Sequence, residues 1–384
     1  MKLTQYGDYL YLYILFLTFI PAIILRLRGF NARYYGIIAS LGMIILIMDF
    51  TLGLKLFSAF LVLEIIIVYL YLIIRKKTEN KYLYWLFLFI SMVPVISTKV
   101  AGVTSYASYI GFIGLSYLNF KVIQVIIEIY DGRIEKINFI TFLYFIIFFP
   151  TLSSGPIDRW KRFEDELNSK LEMKEYINDY LIVGLKKIFM GVGYKFILAY
   201  LIDTYWLLKI PTEINVLNSV NYMYAYTMYL FFDFAGYSLF AVGTSYIFGI
   251  KTPENFNKPF LSKDMKEFWT RWHISLSRWF GDYIFSRFVL NSMRKKRFKS
   301  RFMASHVAQI ITMFIMGLWH GLALHYIVYG LYQGTALVLT DIYQRKSKHY
   351  KEHKKKKWFN YIQIVVTFHI VCFGMLIFSG FLFK

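Results

Sequence analysis

Two histidines stand in surroundings unlike the rest of the chain. His320 closes an apolar run in Gly317-Leu318-Trp319-His320-Gly321. His273 lies in Phe268-Trp269-Thr270-Arg271-Trp272-His273-Ile274-Ser275-Leu276-Ser277, a stretch too rich in Trp, Arg and Ser for a lipid-facing helix. Imidazole is the side chain best suited to take and return a proton near neutral pH. His320 therefore reads in two ways. It is a general base for a hydroxyl acceptor, with Trp319 as a wall and Gly321 as bare backbone for close approach, or it is a core histidine bonded to a neighbouring helix. Ser277 falls four residues after His273, on the same face of a helix, so a Ser-His nucleophile pair is conceivable. The third member would be Asp282, which falls on a different stripe, so an orienting or substrate-binding role suits His273 better. Two histidines without a close carboxylate pair lack the ligand set of a metal site, and none is expected.

Other polar groups interrupt apolar runs: Lys195, Asp233, and the series Asn119, Lys121, Gln124 and Glu128. Ionisable groups at membrane depth are costly, which makes each a functional candidate. Lys121, Gln124 and Glu128 share one helix face. That face either lines a polar path or only bonds one helix to the next. Lys195 needs a partner or water. Ser275, Ser277, Asp282, Trp319, Asp233 and Gln124 are taken as substrate-path candidates.

The elements that must position these groups are membrane helices. Of 384 residues, 58% are hydrophobic and 17% charged, and mean hydropathy is +0.47. Long uncharged runs recur from end to end, as in a polytopic membrane protein. Aromatics reach 21%, which suits belts at both interfaces. The net charge of +21 could suggest nucleic acid. The basic residues instead sit in short loops between apolar runs, the positive-inside pattern, and no nucleic acid is expected. The single cysteine, Cys372, excludes an intramolecular disulfide and a Cys-rich zinc site. Met1 to Asp8 is short and the run after it has no small-x-small site, so no cleavable leader is expected.

Spans are expected at Tyr9 to Leu25, Tyr35 to Met48, Leu52 to Ile74, Tyr82 to Ile96, Val103 to Ile129, Tyr180 to Leu207, Tyr222 to Phe248, Phe302 to Trp319, Tyr326 to Leu339 and Trp358 to Phe383. Alternating them places every basic cluster on the cytoplasmic side and both termini outside. Asn138 to Phe149 is short, ends at Pro150, and is followed by Ser153-Ser154-Gly155-Pro156. It reads either as a re-entrant segment lining a cavity or as an ordinary Gly-Pro turn. Glu267 to Leu290 reads as an amphipathic helix, or two short ones, at the cytoplasmic interface. The fold class is all-α, with about eleven helical elements in one membrane-embedded domain. Residues 1–100 form peripheral helices, 101–340 a core bearing the motifs, and 341–384 a basic loop and last helix. A straight helix from Phe302 rises about 27 Å by His320, so the two histidines are expected at different depths unless that helix tilts.

The words Phe268-Trp269-x-Arg271-Trp272-His273-x-Ser275-Leu276-Ser277-x-Trp279-Phe280-x-Asp282-Tyr283, then Leu318-Trp319-His320-Gly321, resemble the signature of the membrane-bound O-acyltransferase family. So do Gly114-Leu115-Ser116-Tyr117, Phe149 to Arg159, and Phe232-Asp233-Phe234-Ala235-Gly236-Tyr237-Ser238. These words in the same order, over about residues 110 to 335, are similar to its bacterial D-alanyl-transferring branch. The resemblance implies helices around a central funnel, with His320 catalytic and His273 the second family histidine. It implies no tightly bound cofactor. The donor would be D-alanine on the phosphopantetheine arm of a small acidic cytoplasmic carrier protein. The product would be D-alanyl esters on lipoteichoic acid, reached with an extracytoplasmic partner protein. Under it, the segment from Trp279 to Met293 with the basic knot after it becomes the carrier's dock, at Phe288, Val289, Leu290, Arg294, Lys295 and Arg297. Two alternatives stand beside this: a polysaccharide O-acetyltransferase of the same family, and a transporter of the acyl group without chemistry.

Overall fold

Peptide groups in hydrocarbon have no water to bond, so apolar runs must close their hydrogen bonds within a helix. The computed structural model describes residues 3–48, 52–103 and 111–383. Their regular structure is helical, with one isolated antiparallel bridge between Phe256 and Trp272. In chain order come α1 (Tyr9–Leu27), α2 (Arg33–Met48), α3 (Leu52–Lys77), α4 (Lys81–Ala101), α5 (Leu115–Tyr130), α6 (Phe139–Ile147) and α7 (Trp160–Asn168). The helical run α8 (173–205) carries π-turns at Tyr176–Leu181 and Gly193–Ala199. Then follow α9 (Val216–Ile247), α10 (Met265–Arg271), α11 (Ile274–Phe280), α12 (Ser286–Arg294), α13 (Arg301–His320), α14 (Leu324–Lys346), α15 (Lys348–His353) and α16 (Lys357–Ser379). Among the described residues six are long and apolar enough to cross a bilayer: α1, α3, α4, α9, α13 and α16.

Of the run expected as a span from Val103 to Ile129, residues 104–110 lie outside the described residues, residues 111–114 are not helical, and α5 begins at Leu115. Gly114 explains the start at Leu115. Its φ is +91°, and a Cβ there would meet the Leu152 carbonyl oxygen at 2.4 Å. Only glycine allows that turn and that approach.

Packing sorts the chain into two units, residues 1–192 with 236–253, and residues 193–235 with 254–384. In the first, α6 is a nine-residue half-helix, followed by a 3-10 turn at Phe149–Thr151 and irregular backbone up to α7. Most of that irregular segment is buried. Side chains from elsewhere satisfy it. Gln5 donates to the Phe149 carbonyl at 2.7 Å and Tyr6 to the Pro150 carbonyl at 3.2 Å. Lys121, fully buried on α5, donates to the Phe145 carbonyl and the Thr151 hydroxyl, both at 3.1 Å. Gln124 donates to the Asp158 carbonyl at 2.8 Å. Lys121 and Gln124 of the polar face of α5 thus bond the end of α6 and the irregular segment after it. The carboxylate of Asp158, also buried, accepts from Arg162 Nε at 2.6 Å and from the Arg159 amide at 2.7 Å.

In the second unit, Met223, Cys372, Leu376 and Phe381 form a buried apolar cluster between α9 and α16. The lysine that needed a partner has one: Lys195 pairs with Asp233.

Replacing Arg162 by Ala leaves the buried Asp158 carboxylate short of its counter-charge. A loss of about 3 kcal/mol is expected, read as a lower Tm of the detergent-purified protein. Arg162→Lys should recover only part of it, because the planar fork is lost.

Candidate active site

His273 is set by a break in the amphipathic segment. The stretch expected as one or two helices is α10, α11 and, after a π-turn at Gly281–Phe285, α12. His273 falls between α10 and α11 with φ 43° and ψ 52°, the left-handed region. A non-glycine residue there costs about 1–3 kcal/mol and persists only when its surroundings enforce it. The loop before α10 does so. The Asn257 amide donates to the Arg271 carbonyl and the Ile274 amide to the Asn255 carbonyl, both at 2.9 Å. The Asn255 side-chain oxygen accepts the Ser275 hydroxyl at 2.6 Å and the Ser275 amide at 3.3 Å. His273 is thus clamped on both sides, and its ring meets Phe234 edge-on at 4.8 Å.

His320 is set by helix contact. A Cβ on Gly317 would lie 2.4 Å from the Tyr326 carbonyl oxygen, and one on Gly330 would lie 2.5 Å from the Met313 carbonyl oxygen. Small residues at these two points let α13 and α14 touch backbone to backbone. His320 then projects from the last residue of α13 into an aromatic box. Trp319 is at 4.6 Å between ring centres, Phe378 at 4.9 Å, Tyr326 at 6.0 Å and Tyr329 at 6.2 Å. A Cβ on Gly321 would press on the Tyr326 ring at 2.7 Å, so the close approach expected of that glycine is realised against Tyr326.

The two histidines are not isolated from each other. Burial pushes the imidazolium of His273 down to about 3, and a charge on His320 pushes it the same way. His273 is therefore neutral across the physiological range, within electrostatic reach of His320. His273 is buried rather than lying on a cytoplasmic surface.

The remaining candidates are distributed. The Ser277 hydroxyl donates to the Trp272 carbonyl at 3.2 Å, and Ser275 is held by Asn255. Both serines brace the histidine turn. Asp282 is exposed on the π-turn. Asp233 is held by Lys195 and precedes Phe234, which touches His273. Gln124 belongs to the other unit, where it accepts from Arg159 at 3.3 Å besides bonding the Asp158 carbonyl. Of the apolar docking triplet, Leu290 is 58% exposed, Phe288 is partly covered and Val289 is buried. Arg294, Lys295 and Arg297 beyond it are exposed.

Sequence reasoning missed Asn255, whose polar loop carries no spacing signal, and Asp341. The Asp341 carboxylate, 6% exposed, binds Lys266 of α10, His306 of α13 at 2.7 Å and Arg345 at 2.6 Å. It ties the helix before His273 to the helix that carries His320. Trp269 adds a bond to Gln333 of α14 at 3.3 Å.

The family model for MBOAT, the membrane-bound O-acyltransferase family, matches residues 33–383. The chain is 42% identical to the teichoic acid D-alanyltransferase of Bacillus subtilis (strain 168), over 98% of this chain and 98% of that protein. It is 37% identical to the teichoic acid D-alanyltransferase of Lacticaseibacillus rhamnosus, over 100% and 99%. It is 32% identical to the probable alginate O-acetylase AlgI of Pseudomonas syringae pv. tomato, over 60% of this chain and 42% of that protein.

His273 lies outside the six spans, and its titration makes a testable sign. Its folded value is below the ordinary 6.5, so below that pH the unfolded chain binds a proton that the folded chain refuses. Its contribution to stability is complete above about pH 6.5 and falls as pH drops toward 3, with a slope of at most about 1.4 kcal/mol per unit. Thermal unfolding in detergent at stepped pH should show this slope in wild type. It should be shallower in His273→Gln.

Proposed function

The chain belongs to the membrane-bound O-acyltransferase family, and from that premise we propose that it works as a teichoic acid D-alanyltransferase. The observation that carries the reading is the clamped, neutral His273 within reach of His320, in a chain that D-alanyltransferases match from end to end. The acetylases match a smaller part of both chains, which favours D-alanine over acetate. A transporter without chemistry gives no reason to hold a histidine in a strained turn beside a second one.

In the proposed reaction, His320 accepts the proton of an acceptor hydroxyl as its oxygen attacks the thioester carbonyl of the D-alanyl donor. The carbon–sulfur bond breaks, and the imidazolium returns the proton to the leaving thiolate. His273, uncharged, positions a reactant without repelling that imidazolium. The aromatic box around His320 keeps water from competing for the acyl group. The donor thioester sits on the phosphopantetheine arm of a small acidic carrier protein. The carrier docks on the cytoplasmic face through Leu290, Phe288 and the exposed Arg294, Lys295 and Arg297, an apolar patch rimmed with positive charge. In this reading the basic loops face the cytoplasm and both termini lie outside, where an extracytoplasmic partner protein and lipoteichoic acid receive the product.

With labelled D-alanyl carrier and membranes, His320→Ala should lower transfer by at least about a hundredfold while carrier binding persists. Transfer that persists in a folded His320→Ala protein would rule out the general-base role. Leu290→Asp should weaken carrier binding by about tenfold or more, and added salt should weaken it further. Binding unaltered by Leu290→Asp moves the dock elsewhere.

A further inference from the structure

A cleft of about 430 Å³ runs between α14 and α16, closed at one end by Lys263, Asp264 and Met265 at the start of α10. Its α14 wall extends from Tyr332 to Gln344 and its α16 wall from Phe359 to Ile370. At 1.5 Å per residue these walls are about 18 and 17 Å long. One leaflet of a hydrocarbon core about 30 Å thick has nearly that depth. The walls are mostly apolar, and Leu339, Ile362 and Val366 keep about half or more of their surface exposed. The polar side chains Lys263, Asp264, Gln344 and Gln363 gather at the end where α14 finishes and α16 begins.

That end is capped by the most basic stretch of the chain. Between Arg345 and Lys357 there are eight Lys and Arg residues against one acid, Glu352. Among the described residues only Arg345 of the eight is in an ion pair, with Asp341. The lysines of this stretch are all exposed. Clustered lysines at the cytoplasmic end of a span attract anionic lipid.

We propose that this cleft is a binding site for one anionic phospholipid. An acyl chain lies along Leu339, Val366 and Ile370, and the phosphate meets the lysines of α15 and of the turn into α16. The match of cleft length to leaflet depth, with positive charge at one end only, selects a lipid over a folded protein, which could not enter a slot this size. The residues that line the cleft include neither histidine and none of the residues of the carrier dock.

The test uses the full-length protein in detergent, reloaded with phosphatidylglycerol or with phosphatidylcholine. Retained lipid is counted by native mass spectrometry. Wild type should retain phosphatidylglycerol over phosphatidylcholine by more than about tenfold. Lys354→Gln/Lys355→Gln/Lys356→Gln should lose that preference, and Ala336→Trp, which fills the cleft, should lose the retained lipid. The triple variant changes only exposed side chains, so it tests the proposal even where Ala336→Trp does not fold. Equal retention of both lipids by wild type would overturn the proposal. So would unchanged phosphatidylglycerol retention in either folded variant. Loss of acidic carrier binding in the triple variant with lipid unchanged would make the loop a protein dock instead, which also overturns it.

Discussion

A carbonyl oxygen buried in hydrocarbon must find a donor within the protein, because an unsatisfied one costs several kcal/mol. That requirement organises much of this chain. At two places where the helical ladder stops, side chains from distant segments complete it. The end of α9 exposes the carbonyls of Ile247 and Phe248, and they are met by Tyr176 at 2.8 Å and by Arg26 at 3.0 Å. The half-helix α6 and the turn after it are met by Gln5, Tyr6 and Lys121. Polar residues that look like anomalies in apolar runs are here the donors that permit irregular backbone.

The same constraint works at the histidine turn with a different result. Breaking the helix between α10 and α11 frees peptide groups, and the Asn255 loop binds them. The loop thereby enforces a backbone conformation that His273 would not adopt alone. Satisfying the peptide groups and aiming the imidazole are one act. His320 is positioned by another means, the backbone contact of Gly317 and Gly330, so the two histidines rest on independent supports joined through Asp341.

Much of this was legible in the sequence. Runs near 20 apolar residues gave α1, α3, α4, α13 and α16, because span length is a local property. The short apolar segment before Pro150 announced irregular backbone, and Lys195 announced a partner. The motif words singled out both histidines. What stayed hidden depends on which distant segments meet. Neither Asn255 nor Asp341 has a periodicity that points to its partners, and nothing in Met1 to Asp8 signals that Gln5 and Tyr6 close a turn near residue 150. That His273 is buried, although it stands in a stretch that reads as interfacial, depends on the loop around Asn255 and on Phe234, which no spacing announces.

Cys372 has a consequence of another kind. It is the one cysteine in 384 residues, and it is fully enclosed by the cluster of Met223, Leu376 and Phe381. A buried thiol is shielded from water-soluble maleimides. The native chain is therefore already a blank background for thiol labelling. A cysteine introduced at any exposed loop reports which side of the membrane that loop faces, without first altering the apolar packing between α9 and α16.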